Sequence, residues 1–188
     1  MVRWEANARG RLEEAALALY RERGFDATTV VEIAQRAGLS ERTFFRHFAD
    51  KREVLFSGAH ELERLLADGV AAAPTGTAPL DAVVRALDAA APLFEELGDR
   101  VHVRQAVIAA NPVLRERELI KLAALATAIA AALRERGVEA PAADLAAEVG
   151  VALFKVAFAR WIDRVGSATL SQCLQESAAE LTHLAHRE

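Results

Sequence analysis

Apolar residues recur every three or four positions along almost the whole chain, and the strict alternation of a strand appears nowhere. This spacing predicts amphipathic helices, whose ends are marked by single glycines or prolines. The segment from Pro74 to Pro79, P-T-G-T-A-P, is the clearest linker. The pattern predicts an all-α fold of about nine helices, divided into an N-terminal three-helix domain over residues 1–56 and a helical bundle over residues 57–188.

The helix signals are densest between Thr28 and Leu55. Thr29 followed by Glu32 predicts a capping box at the start of one short helix. Gly38 predicts its end, because glycine tolerates a positive φ. Ser40 then predicts the cap of a second helix from Glu41 to about His47. Two short helices joined by this turn have the spacing of a helix-turn-helix, whose second helix enters the major groove of DNA.

Longer helices are predicted on both sides of this stretch. One covers Arg9 to Arg23, and another runs without a break from Lys51 to Ala72. The helices predicted after the linker are Leu80–Leu97, Arg100–Ala110, Val113–Arg136, Ala142–Val165 and a last helix that is capped by Ser167 and runs to about His186.

Positive charge is local rather than general. The whole chain has a formal net charge of −4, which argues against a protein that coats nucleic acid indiscriminately. Between Arg36 and Arg52, however, five basic residues stand against two acidic ones. On the second short helix, Arg42 and Arg46 accompany Thr43 and exposed aromatic positions, and these side chains can reach guanine, phosphate or a thymine methyl. An amphipathic surface helix with a solvated arginine face is the alternative, and the capped helix and glycine that precede it favour DNA.

The same stretch resembles the DNA-binding signature of the TetR family of bacterial transcription regulators. The matching residues are Thr29, Ile33, Ala34, Ala37, Gly38, Ser40, Thr43, Phe48, Lys51 and Leu55. The segment Ala15–Phe25 is similar to the family's first helix. The family often has tyrosine where this chain has Phe45, and a phenylalanine cannot donate a hydrogen bond to phosphate.

The resemblance implies a set of DNA contacts. Hydroxyls near helix starts would hold phosphates, the middle of the second short helix would lie nearest the base edges, and its end would reach phosphates or outer bases. The residues are Thr29, Ser40, Arg42, Thr43, Phe44, Phe45, Arg46, His47 and Lys51. For His47, a neutral helix-terminal histidine is an equal alternative.

Two long helices of the second domain suggest a dimer. The Ala142–Val165 helix is apolar on nearly every face, so it needs cover on both sides. The last helix carries one apolar stripe with small residues midway. Paired across a two-fold axis, they would form a four-helix interface through Leu153, Val156, Leu170, Leu174, Ser177, Ala178 and Leu181. The alternative is a monomer in which both stripes pack internally.

A ligand pocket is a further possibility in the alanine-rich second domain. Bulky and polar residues fall on helices that should converge, and the resemblance favours a cavity among them. The candidates are Phe94, Val101, Arg104, Gln105, Ile108, Leu122, Phe154, Phe158 and Trp161. Arg104 and Gln105 are the polar ones, and an apolar or amphiphilic ligand is expected. A simply well-packed core remains the alternative.

The sequence contains no Walker-type or dinucleotide-binding glycine pattern, no His-Glu-x-x-His, no Gly-x-Ser-x-Gly and no Cys-x-x-Cys. No enzyme activity, cofactor or metal site is therefore expected. One cysteine, no signal-peptide pattern and no membrane-length apolar run indicate a cytoplasmic protein. The residues indicate a DNA-reading head and an all-helical partner domain, and the resemblance implies a homodimeric repressor that a small ligand releases from a near-palindromic double-stranded DNA operator. A constitutive regulator without effector and a ligand-binding protein with a vestigial head are the alternatives.

Overall fold

A computed structural model describes residues 8–164 and 166–185, and over these ranges the chain forms nine α-helices, one 3₁₀ turn and no strand. The all-α prediction is confirmed. The helices are α1 Ala8–Arg23, α2 Val30–Arg36, α3 Glu41–His47, α4 Ala59–Ala71, α5 Pro79–Glu96, α6 Asp99–Ala110, α7 Pro112–Glu135, α8 Ala140–Asp163 and α9 Leu170–Ala185, with the 3₁₀ turn at Glu53–Phe56. None of these helices is both long and apolar enough to cross a lipid bilayer. The predicted ends at Val165 and His186 lie outside the described residues.

Packing divides the chain into two compact units. The first unit joins the described part of Met1–Ser57 to Asp99–Leu119, and the second joins Gly58–Gly98 to the described part of Ile120–Glu188. The first unit therefore contains more than the N-terminal domain predicted at residues 1–56. It also takes in α6 and the start of α7, because Val107, Ile108 and Leu114 belong to the same buried cluster as the N-terminal helices.

The core of the first unit is built from one face of each of its helices. Leu12, Ile33 and Phe44 are all 0% exposed, and so are Ile108 and Leu114. Isolated helices of seven residues, the length of α2 and α3, are unstable in water. Their stability in this unit therefore comes from the apolar faces that they bury.

Local signals set the ends of the two short helices as predicted. The Thr29 amide donates to Glu32 Oε2 at 2.9 Å and the Glu32 amide donates to Thr29 Oγ1 at 3.2 Å, which completes the capping box. The Thr43 amide donates to Ser40 Oγ at 3.2 Å. Gly38 has φ of +65°, and the Leu39 amide donates to the Ala34 carbonyl at 2.8 Å, as in a Schellman motif.

Lys51 holds together the loop that leads into α2. Its ammonium donates to the backbone carbonyls of Phe25, Asp26 and Thr28 at 2.8, 3.2 and 2.8 Å, and lies 4.5 Å from the centroid of the Phe25 ring. The Tyr20 hydroxyl donates to the Lys51 carbonyl at 2.6 Å. Burial raises the pKa of Tyr20, and the nearby Asp50 charge raises it further, so the hydroxyl remains a donor. An ammonium has three protons to donate, and three carbonyls use them.

The predicted unbroken helix from Lys51 to Ala72 is wrong. The 3₁₀ turn Glu53–Phe56 and the residues Ser57 and Gly58 separate Lys51 from α4. The Asp50 carboxylate accepts hydrogen bonds from the Arg52 and Glu53 amides at 2.7 and 3.2 Å, which starts a tight turn. Side chains then take two carbonyls that a continuous helix would need: Arg104 Nε donates to Leu55 at 2.6 Å, and Arg9 donates to Ser57.

The predicted cap of the last helix is also wrong. Thr169, not Ser167, caps α9, because the Gln172 amide donates to Thr169 Oγ1 at 3.1 Å while Gln172 Oε1 accepts from the Thr169 amide at 2.9 Å. Glu95 Oε1 accepts from the Leu170 amide at 2.9 Å, which adds a carboxylate at the same helix start. Anions are favoured there by the helix dipole.

Close helix packing around α5 defines the second unit. Helix α5 packs against α4, α8 and α9. Gly150 of α8 approaches α5 so closely that an added Cβ would lie 2.3 Å from Val83 Cγ1, and a Cβ on Gly69 of α4 would lie 2.9 Å from the Ala86 Cβ. The absence of side chains at these two positions sets the separation between α5 and its neighbours.

We expect Gly150→Ala to destabilise the protein, although alanine is the better helix former by about 1 kcal/mol. Val83 is 0% exposed and β-branched, so it cannot move aside easily, and overpacking of this kind costs about 1–3 kcal/mol. Urea unfolding measures the change. Gly58→Ala is the matched control, because nothing lies within 4 Å of a Cβ at that position. Equal midpoints for the two variants would contradict the packing described for α5 and α8.

We expect Lys51→Met to lower the free energy of unfolding by about 1–3 kcal/mol, since it leaves partly buried carbonyls without their donor. Methionine keeps the length of the stem and removes the charge. Arg42→Met serves as the control, because Arg42 is exposed and surface substitutions usually change stability by no more than about 0.5 kcal/mol. Chemical denaturation followed by circular dichroism compares the three proteins, and a Lys51→Met variant as stable as wild type would show that the ammonium does not hold the loop.

Candidate nucleic-acid interface

Helix α3 has an inner face and an outer face. Phe44 and Phe48 are 0% and 4% exposed, and their ring centroids lie 5.5 Å apart in the core. Arg42, Phe45 and Arg46 occupy the other side and are exposed. The inner face therefore fixes which side chains α3 presents to solvent.

Three hydroxyl groups lie at the starts of the two short helices. Thr29 and Ser40 are exposed and Thr43 is half-buried. Ser40 Oγ and Thr43 Oγ1 lie 2.9 Å apart and share a hydrogen bond. Each of the three hydroxyls has a hydrogen-bond partner at its helix start. Each is also at least partly exposed, and this exposure is compatible with the predicted phosphate contacts.

The structure corrects one of the predicted DNA contacts. Phe44 is fully buried, so it cannot lie at a base edge and instead forms the centre of the core. Lys51 is half-buried, and its ammonium bonds three carbonyls of the loop before α2, so a phosphate contact of Lys51 stays a prediction. His47 is half-buried, and its Nε2 is buried without a hydrogen-bond partner among the described residues.

Several of the clustered cations are engaged within the first unit. Arg36 Nη2 donates to both carboxylate oxygens of Glu22, at 2.6 and 2.5 Å, and this pair lowers the pKa of Glu22. Arg52 donates to Asp50 Oδ2 through Nε and Nη2 at 3.0 and 2.6 Å, which lowers the pKa of Asp50. The positive charge available to a partner is therefore smaller than the count from Arg36 to Arg52 suggests.

Residues of α6 and α7 that the sequence placed in the second domain hold the N-terminal helices. Arg104 Nε donates to the Leu55 carbonyl, its Nη1 lies 3.5 Å from Glu118 Oε1, and its guanidinium carbon lies 5.2 Å from the centroid of the Phe56 ring. Arg117 pairs with Glu53, and Arg100 Nη2 lies 3.6 Å from Glu13 Oε2. These ion pairs could not be predicted from the sequence, because partners so far apart in the chain leave no local pattern.

The other ligand candidates on α6 belong to the same unit. Val101 and Ile108 are 3% and 0% exposed. Gln105 is half-buried, and its Oε1 is buried without a partner among the described residues. Arg104 has the structural contacts given above, so a role in ligand binding would have to share its guanidinium with them.

The remaining ligand candidates lie in the second unit. The rings of Phe94, Phe154, Phe158 and Trp161 form a connected cluster, in which the centroids of contacting rings are 5.5–5.7 Å apart. Phe154 and Trp161 are 9% and 8% exposed, while Phe94 and Phe158 are half-buried. Leu122, on α7, is also half-buried. The structure brings four of the predicted aromatic residues together.

Most residues predicted to form a dimer interface are internal to the second unit. Leu153, Leu170, Leu174 and Ser177 are 7%, 0%, 2% and 4% exposed within a unit in which α5, α8 and α9 pack on one another. They cannot supply much contact surface, and their assignment to an interface is corrected. Ala178 and Leu181 are half-buried, and Val156 is 47% exposed.

Comparison with known proteins gives consistent results. Residues 12–57 match the model of the family described as bacterial regulatory proteins, tetR family. The HTH-type transcriptional regulator TcmR of Streptomyces glaucescens is 36% identical over 75 residues, which are 40% of this chain and 33% of TcmR. The HTH-type transcriptional repressor KstR2 of Mycobacterium tuberculosis is 47% identical over 47 residues, which are 25% of this chain and 24% of KstR2. The chain matches only about a third and a quarter of the lengths of these curated relatives.

A solved structure matches over nearly the full length. The crystal structure of the TetR family transcriptional regulator PfmR from Thermus thermophilus has a TM-score of 0.53 and 26% identity, and the match covers 92% of this chain and 97% of PfmR. The matched N-terminal residues are those that form α1, the helix-turn-helix and the 3₁₀ turn. With its two short capped helices, the N-terminal region at residues 12–57 belongs to the tetR family of bacterial regulatory proteins, and the chain as a whole is similar to a TetR family transcriptional regulator.

Proposed function

We propose that the chain is a sequence-specific DNA-binding repressor that acts as a homodimer and is released from its operator by a small apolar or amphiphilic ligand. The observation that carries DNA binding is the outer face of α3, where Arg42, Phe45 and Arg46 are exposed above a fully buried inner face. In this proposal α3 enters the major groove of one half-site, as the second helix of a helix-turn-helix does.

The charges of the first unit favour site-directed binding over general attraction to DNA. Arg36 and Arg52 are paired with carboxylates, and Lys51 is bonded to carbonyls. Fewer phosphate contacts lower the non-specific affinity for DNA, since that affinity grows with the number of phosphates neutralised. Arg42 makes no side-chain hydrogen bond within the described ranges, and its guanidinium can form the bidentate contact to guanine.

A dimer through the outer surface of α8 and α9 supplies the second reading helix. Arg160 pairs with Glu180 at 2.6 Å and Arg164 pairs with Glu176 at 2.7 Å, so the two helices run antiparallel in a register that places Val156 beside Leu184. These two side chains are 47% and 67% exposed. The apolar stripe continues along α8 through residues that are exposed or half-buried. These are Leu145, Val149, Ala152 and Ala159.

The exposed face differs from the interface that the sequence suggested, but it keeps the same two helices. Its residues recur at intervals of three and four, which is the spacing of one face of a helix. An exposed apolar stripe of this length on paired helices suits a second copy of the chain, because a two-fold axis brings the same stripe against itself. Two heads would then read two half-sites.

The aromatic cluster of the second unit supports a ligand of low polarity. Phe94 and Phe158 are half-buried and present ring surface beside the buried Phe154 and Trp161. Apolar pockets with few polar groups are the usual form of small-molecule sites. An effector that prefers the conformation unable to bind DNA needs a coupling of about 1–3 kcal/mol to change operator affinity several-fold or more.

The mutual packing of those rings also suits the alternative of a constitutive regulator whose second domain is filled. The two functions differ in one observable, the response of the operator complex to apolar compounds. Compounds that raise the melting temperature and release DNA support the effector. DNA binding that no such compound alters supports the constitutive regulator.

In vitro selection of random duplexes at a stated salt concentration tests DNA recognition itself. Enrichment of an inverted repeat is the expected result for a dimer that reads two half-sites. Recovery of no motif would contradict the proposal and would favour a ligand-binding protein with a vestigial head.

We expect Arg42→Ala to relax sequence preference at one base pair of each half-site, at a cost of about 1–3 kcal/mol per contact. The melting temperature should not change, because Arg42 is exposed. Fluorescence anisotropy with the selected operator and its single-base variants measures the effect. Arg36→Ala is the control, since that guanidinium is paired with Glu22, and its base preferences should equal those of wild type. Unchanged preferences in Arg42→Ala would exclude Arg42 as a base contact.

We expect Val156→Glu to convert the dimer to a monomer at micromolar concentration, because it places a carboxylate next to its symmetry mate in an apolar contact. Leu184→Glu should act in the same way. Analytical ultracentrifugation gives the mass, and circular dichroism confirms that the helices remain. Leu93→Glu is the control, as Leu93 is 46% exposed on α5 and outside the proposed face. A dimer that survives both substitutions would contradict this interface.

A further inference from the structure

Phe45 is the aromatic side chain that α3 leaves in solvent. It is 52% exposed, and its ring centroid lies 5.5 Å from that of Phe44 at an interplanar angle of 84°. Edge-to-face packing of this kind is favourable, and Phe44 itself is fixed in the core. The inner side of the Phe45 ring is therefore held in place while its outer part stays uncovered.

The chemistry of this ring limits what it can bind. Phenylalanine has no donor for a phosphate oxygen, so the usual reason for a polar side chain on a DNA-facing helix does not apply. The favourable free energy of binding through this ring comes from removing apolar surface from water. Among the base edges of the major groove, the apolar group is the 5-methyl of thymine.

The neighbours of Phe45 favour DNA over an apolar protein surface as the partner. Arg42 lies three positions before Phe45, so its guanidinium is a neighbour of the ring on the exposed side of α3. An apolar protein partner would have to desolvate the Arg42 guanidinium without compensation. A nucleic acid offers acceptors to this guanidinium and a methyl group to the neighbouring ring.

We propose that Phe45 contacts the 5-methyl group of a thymine in each half-site and so determines sequence specificity at that base pair. The proposal rests on the DNA binding proposed above. It names the base that the outer face of α3 prefers and the single group on that base that the ring recognises.

Replacing thymine by deoxyuridine tests the contact, since it removes the methyl group and leaves base pairing and the O4 acceptor unchanged. Each thymine of the selected operator is replaced in turn, and Kd is measured by fluorescence anisotropy. At one thymine per half-site we expect Kd to rise about fourfold, the effect of losing about one methyl-sized buried group.

Variants of Phe45 assign that effect to the ring. Phe45→Ala should bind the thymine operator more weakly and should lose its sensitivity to deoxyuridine at the same position. Phe45→Tyr keeps the ring and should keep the sensitivity. Val31→Ala is the matched control, because Val31 is an exposed apolar residue of α2, 43% exposed, and its variant should respond to deoxyuridine as wild type does. Equal melting temperatures confirm that each variant is folded.

Three results would overturn the methyl contact while leaving DNA recognition intact. They are a selected motif without thymine in its half-sites, wild-type binding that tolerates deoxyuridine everywhere, and a Phe45→Ala variant as sensitive as wild type. Failure to select any motif is a different outcome, since it rejects the DNA-binding proposal itself.

Discussion

The burial of one face of a seven-residue helix is the constraint on which the rest of the first unit depends. Helix α3 is too short to be stable alone, so Phe44 and Phe48 must be covered by neighbouring helices. Once these two rings are inside, the direction of every other α3 side chain is set by helix geometry. The identity of the exposed residues and the stability of the helix are thus two consequences of the same packing.

Basic side chains contribute to this packing as donors to backbone carbonyls. Lys51 bonds the loop before α2, Arg11 bonds the Ala37 carbonyl at the end of α2, and Arg104 bonds Leu55 in the 3₁₀ turn. In the second unit, Arg136 donates to carbonyls at the end of α4 and just after it. Helix ends leave carbonyls without partners, and long cationic side chains can reach them. A count of charges along the sequence cannot separate such residues from those that face a partner.

The local part of the structure could be predicted from the sequence, and the long-range part could not. The Thr29 capping box, the Gly38 turn and the Ser40 cap depend on residues three or four apart, so their signals lie within one short window. The true cap of α9 had such a signal as well, because a glutamine, Gln172, stands three residues after Thr169. The residue three positions after Ser167 is Leu170, which cannot complete a capping box. The break before α4 depends on Arg9 and Arg104, which come from distant helices.

For the candidate site, the sequence predicted the helix α3 but not which of its side chains are buried. Periodicity marks Phe44 and Phe45 as neighbours on a helix, and only the packed structure shows that the first is buried and the second exposed. The apolar stripe of α9 posed the same difficulty, since an internal face and a face for a second subunit have the same spacing. Leu170 and Leu174 proved internal because α5 packs against α9.

The carboxylate and carbonyl partners of Arg36, Lys51 and Arg52 have a consequence for how such a protein would find its target. A chromosome offers an enormous excess of wrong sites, and a protein with many free cations spends most of its time on them. Cations that are bonded within the fold would reduce the residence time on each non-specific site. More molecules would then remain in solution, and the operator would be found by repeated encounters. A smaller number of copies can then keep a single operator occupied, and its occupancy responds more quickly when the affinity changes.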